Sequence, residues 1–103
     1  MSEANALRGE AAIVLAGKTH VLRPSFDALV RAEEELGSLF ALVERTGEGQ
    51  LRLSEIAALF WHCLAETGGL TREALGEAVL AQGLAESAKP LRILLGEILR
   101  GRG

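Results

Sequence analysis

Pro24-Ser25 divides the sequence into two stretches that cannot share one kind of secondary structure. Proline has no amide hydrogen for a strand ladder, and serine is a favoured helix N-cap, so the pair ends one element and starts another. Before it, residues 8–15 read Arg-Gly-Glu-Ala-Ala-Ile-Val-Leu and residues 19–23 read Thr-His-Val-Leu-Arg, around Ala16-Gly17-Lys18. Two short β-prone runs about a glycine-bearing turn predict a hairpin over 8–23. The loop is either Ala16-Gly17 or Gly17-Lys18. Both registers place Ile13, Leu15, His20 and Leu22 on one face and Ala12, Val14, Val21 and Arg23 on the other, because strand side chains alternate. A lone hairpin is marginal in water, so the first face is expected to rest on helices.

After the break the period changes to that of helices. Ser25 caps a first helix, with Asp27 in its first turn, Phe26, Leu29, Val30 and Leu36 as its apolar stripe, and Gly37 as its C-cap. Ser38 caps a short second helix to about Arg45, carrying Leu39, Phe40, Leu42 and Val43, and Thr46 to Gln50 form a loop. Ser54 is expected to cap a third, on which Ile56, Leu59, Phe60, Cys63 and Leu64 recur at helical spacing, with Gly68-Gly69 stopping it. Thr71 caps a fourth with Leu75, Ala78 and Val79 apolar, ending near Gly83. The last runs to about Arg100 with Leu91, Leu94, Leu95, Ile98 and Leu99 apolar. Pro90 is expected in its first turn, since an interior proline removes a helical hydrogen bond. Arg100 and Arg102 suit the negative end of the helix dipole.

The fold class is therefore α+β, mainly α: an N-terminal β-hairpin followed by four or five short amphipathic helices. At 103 residues one domain is expected over 1–103, with 1–7 flexible, 8–23 the hairpin and 25–100 helical. Hydrophobic residues make up 49%, enough for a core, and with three Phe, one Trp and no Tyr that core is aliphatic. The net charge of −3 and the scattered arginines exclude the basic face on which nucleic-acid affinity rests. The apolar run ending at Trp61 is far short of the ~20 residues of a membrane helix, and the N-terminus lacks a basic segment followed by an apolar one. A soluble chain that binds neither membrane nor nucleic acid is expected.

Little in the sequence carries chemistry. The single cysteine, Cys63, excludes an internal disulfide and falls on an apolar stripe, where a free thiol is an inert core residue. Its neighbour His62 diverges from it by about 100° around the helix, so the two cannot form a nucleophile–base pair. His62 reads as a rim residue and His20 as a half-buried ring packed on helices. No carboxylate has the spacing to complete a zinc site with them. Glu33-Glu34-Glu35 point in three directions and read as a solvated helix face. The twelve glycines form neither a dinucleotide nor a phosphate loop and read as turns and caps. No enzyme, cofactor or metal site is expected, and binding to another protein is. Trp61, at the edge of its stripe, and Leu39 and Phe40, on the short second helix, are the candidate protein-binding residues.

The stretch Val14-Leu15-Ala16-Gly17-Lys18-Thr19-His20-Val21-Leu22-Arg23-Pro24-Ser25-Phe26-Asp27-Ala28-Leu29, followed by Glu33-Glu34-Glu35-Leu36-Gly37, resembles a known family. It is similar to the small gene-transfer-agent and phage tail assembly chaperone-like proteins, some of them catalogued among tail tube proteins. The likeness extends through the later helices. It departs at Ala16, where an Asp is common, and at His20, where an aromatic is common. The resemblance implies a non-enzymatic accessory to phage or gene-transfer-agent tail assembly, cytoplasmic in the bacterial host. Such a protein would be a chaperone binding the tail tape-measure protein or other tail proteins, until tube subunits replace it. The alternative is a structural tail component, a tube or connector subunit, although a tube subunit would normally need a larger sheet than one hairpin. A second copy of the chain is the other partner considered.

Overall fold

The computed structural model of the protein describes residues 10–15 and 17–100. The expected flexibility of 1–7, the start of the hairpin at 8–9, the turn residue Ala16 and the terminal Arg102 lie outside them. Strands β1 (Ala11–Leu15) and β2 (Lys18–Leu22) pair antiparallel, Ile13 facing His20 and Leu15 facing Lys18, so Ala16-Gly17 is the loop. Gly17 has a φ of 77°, the left-handed backbone that a two-residue hairpin turn needs and glycine adopts freely. As expected, the face bearing Ile13 and Leu22 is buried, with Ala11 beside them and His20 half-buried, while Ala12 and Val14 face out. One step beyond the strands, the opposed residues Glu10 and Arg23 continue the pairing as an ion pair, Nε to Oε2 2.6 Å, with the carboxylate buried.

Among the described residues five helices follow: α1 (Phe26–Leu36), α2 (Leu39–Gly47), α3 (Leu53–Cys63), α4 (Arg72–Gln82) and α5 (Leu84–Arg100). Three start at the predicted caps. Ser25 accepts from the Ala28 amide at 3.2 Å, Ser38 from Ala41 at 3.2 Å and Thr71 from Ala74 at 3.1 Å, each satisfying an amide that has no helical partner. Gly37 closes α1 through its amide to the Glu33 carbonyl at 2.9 Å. Most of the structure packs on α3. From Ile56 to Leu64 no residue is exposed, and α1, α4 and α5 all contact this helix. A helix apolar on every side has nowhere stable to be except the middle of the molecule.

Five expectations need correction. α1 does not bury the stripe of Phe26 and Val30; it buries Ala28 and Ala32, with Leu29 and Leu36 partly covered, a face turned by about a quarter of a circle. Two alanines one turn apart let α1 approach α3 closely, so small volume outweighs large apolar area at this contact. α2 continues through Gly47, and only Glu48 and Gly49 turn. α3 begins one residue before Ser54, and its start is closed by the Glu55 carboxylate, which accepts from the Arg52 amide at 2.9 Å. That helix ends at Cys63, not at Gly68-Gly69.

The cause is a competing interaction. Leu64 forms an antiparallel bridge with Leu22, the Arg23 amide donates to the Cys63 carbonyl at 2.6 Å, and the Ala65 amide donates to the Val21 carbonyl at 3.0 Å. The outer edge of β2 captures the chain and ends the helix. Finally, α5 starts directly after Gly83, so Pro90 lies in its second turn rather than its first. Gly83, at φ 96°, makes the one-residue joint between α4 and α5. The helical bond that Pro90 cannot donate is offset by the burial of Pro90 itself and of Leu91, Leu94 and Leu95 just beyond it.

Candidate interaction surface

The residues capable of chemistry are committed to structure. Cys63 is buried against the hairpin end of α3, and burial pushes its thiol up to about 12, far from the thiolate that reacts. His62 points to another side of the helix, where its Nε2 lies 2.9 Å from Glu35 Oε1 on α1. The other Glu35 oxygen accepts from the Arg72 guanidinium at the start of α4. One carboxylate thus ties α1, α3 and α4 together. The Arg72 and His62 hydrogen bonds hold the Glu35 carboxyl below the usual glutamate range.

The acidic run of α1 is solvated but not idle. Glu33 reaches across the turn to accept from the Leu39 amide at 3.1 Å, which helps start α2. Glu55 is paired in a similar way, to the Arg52 amide and to Arg45 Nη1 at 2.6 Å, and its carboxyl is held low by those contacts. Sequence reading missed the role of Glu35, since a partner 27 or 37 residues away leaves no local pattern. Among the described residues no group of three or more His, Cys, Asp or Glu side chains is placed to hold a metal ion. Nor is any described helix long and apolar enough to cross a membrane.

What the fold leaves over is apolar surface. Of the three residues singled out from the sequence, Leu39 is buried in the core and Trp61 is half-buried against it. Phe40 is 66% exposed. The structure does not bring the three together as one patch. Other apolar side chains are exposed as well: Phe26 is 85% exposed at the start of α1, Leu80 64% near the end of α4 and Leu84 54% at the start of α5. Phe26 is exposed because α1 has turned its alanines inward. Leu80 could have been found by counting along α4. It lies five residues from the buried Leu75 and one from Val79, off the stripe that those two define.

Leu80 also lies on a stripe of its own. Glu73, Glu77 and Leu80 recur at i, i+4 and i+7, all three exposed, on the side of α4 away from Leu75 and Val79. Neither glutamate forms an ion pair among the described residues. Such a face has no catalytic group. It can contact another macromolecule, since nothing among the described residues covers it.

A family model described as "Phage tail tube protein, GTA-gp10" matches residues 8–101. No curated protein and no solved structure matches the chain.

Proposed function

The chain belongs to the phage tail tube protein, GTA-gp10 family, and from that membership we propose that it is a structural component of a phage-type tail, a tube or connector subunit acting without catalysis. The extent of the match carries the reading: residues 8–101 take in the hairpin and all five helices, so the whole folded unit is the family's unit. A tail component holds its place through contacts with other tail proteins or with copies of itself. Uncovered apolar side chains on α1, α2, α4 and α5 supply material for such contacts. Quantitative mass spectrometry of purified particles tests the proposal. The protein should be present in a fixed ratio to the other tail proteins, and complete tails without it would overturn the reading.

A second reading, a chaperone that covers the tape-measure protein during assembly and then leaves, is favoured by one observation. The sheet consists of two strands and a single bridge, little material for the wall of a tube. Co-expression distinguishes the two. A chaperone raises the soluble yield of the tape-measure protein and is absent from finished particles; a tube or connector subunit stays in them.

A further inference from the structure

We propose that the outer edge of β1 pairs antiparallel with the β1 of a second copy of this chain, Ile13 against Ile13, to make one four-stranded sheet across a two-fold axis. Each backbone amide and carbonyl needs a partner, in the chain, in another chain or in water. In an antiparallel pair, opposed residues that do not exchange hydrogen bonds turn their N–H and C=O groups away from each other, to the two outer edges. On β2 those residues are identified by their bonds: the Val21 carbonyl accepts from Ala65, and the Arg23 amide donates to Cys63. Ala12 lies opposite Val21, and Val14, two residues on, opposite Thr19. The amides and carbonyls of Ala12 and Val14 therefore point out from β1, and none of them has a hydrogen-bond partner among the described residues. Both residues are exposed, Val14 to 54%.

The two edges of the hairpin differ. The chain seals β2 with its own residues 63–65 and leaves β1 open. Nor does β1 carry a device that keeps edges apart: Ala11–Leu15 holds no charge, proline or glycine, and it pairs with β2 without a bulge. Such an edge is matched by a strand, since extended backbone presents amides and carbonyls at its spacing. A second copy supplies the strand that fits. With Ile13 on the axis, Ala12 of each copy faces Val14 of the other. The two amides and two carbonyls of each chain then form four hydrogen bonds with none left over. No other antiparallel register within Ala11–Leu15 pairs them all. The side chains that meet beside these bonds are small and apolar, Ala12 next to Val14, with no like charges to hold the copies apart. The pairing also ends at two copies, because the far edge of each β2 is already held by Cys63 and Ala65. The inference goes beyond the tail reading and does not depend on it.

The test uses the full-length protein. Sedimentation over a range of concentrations should show monomer passing to dimer and no further. Hydrogen exchange at the Ala12 and Val14 amides should slow at least about tenfold in the dimer, while Thr19, which points out from β2, stays fast. Val14→Pro removes an outward amide that makes no bond within the chain, so the hairpin is kept and two of the four bonds across the axis are lost. Its dimer dissociation constant should rise at least about tenfold. Val14→Lys keeps the amide but sets a charge on the edge, and should weaken the dimer by a similar factor; it carries the test if the proline variant loses its circular dichroism. The proposal is overturned if the chain stays monomeric at millimolar concentration, or if it dimerises with the Ala12 and Val14 amides still fast. It is equally overturned if either variant, still folded, leaves the dimer intact, or if assembly runs on past two. Particle composition tests the tail reading separately. A monomer found in particles would sink only the pairing, and a dimer that particles lack would sink only the tail reading.

Discussion

α3 and α4 are each eleven residues long and pack side by side, yet one is surrounded and the other is half bare. α3 buries six residues; α4 buries only Leu75 and Val79. The polar groups of α3 are also taken up internally, Glu55 by Arg45 and Arg52 and His62 by Glu35. Those on the outer face of α4 are not. A helix whose contacts are all internal can only hold the fold together, whereas one with a single internal face can hold the fold with that face and recruit with the other. The contrast separates a helix that holds the fold from one that leaves a face uncovered by the described residues.

Substitutions can break that separation. Phe60→Ala, in the middle of α3 and fully buried, should cost about 3–5 kcal/mol and shift the urea midpoint sharply, by loss of transfer energy and by the cavity left behind. A smaller loss would mean that α1 and α5 can close over the gap. At the joint of α4 and α5, the buried Ser87 hydroxyl and Gln82 carbonyl oxygen have no hydrogen-bond partner among the described residues. Ser87→Ala should therefore raise stability by about 1 kcal/mol, and a clear loss of stability would show that the hydroxyl is satisfied.

The carboxylate ties around α3 should respond to acid. The Glu35 and Glu55 carboxyls are held below the ordinary glutamate value in the folded protein, by their hydrogen bonds to Arg72 and to the Arg52 amide respectively. Their contribution is thus complete above that value and is lost as pH falls through their lower folded values. Melting temperature should drop over this range, by a modest amount because both groups are near solvent. A Glu35→Gln/Glu55→Gln variant should show a flatter acid limb, and an unaltered limb would assign the drop to other carboxylates. The smallest effect belongs to α4. Leu80→Ser should change the unfolding free energy by less than about 0.5 kcal/mol in urea titration, since its side chain already stands in water. A larger loss would show that the bare face is part of the core after all.

Local chemistry made most of the fold legible. The switch at Pro24-Ser25, the caps at Ser25, Ser38 and Thr71, and the turn at Gly17 each act over a few residues, and each appears where its residues are. Two of the departures came from distant partners. The inward face of α1 depends on how near α3 can come, which favours Ala28 and Ala32 over Phe26. The end of α3 depends on β2, through the bridge of Leu64 to Leu22 far earlier in the chain. The surface was legible only in part. Exposed Phe40 stood out by type, buried Leu39 did not differ from it by spacing alone, and the stripe of α4 emerged once the phase of that helix was known.

The bridge between Leu22 and Leu64 also sets an order of events during synthesis. The ribosome releases both strands of the hairpin well before it releases the end of α3. Through that interval the outer edge of β2 is an open row of backbone donors and acceptors, able to join a strand of any neighbouring nascent chain. Its own cover arrives only with Cys63 to Ala65, after α1 and α2 have been made and most of α3 with them. The newborn protein is therefore most prone to wrong pairing before its centre exists, and completing α3 closes that window.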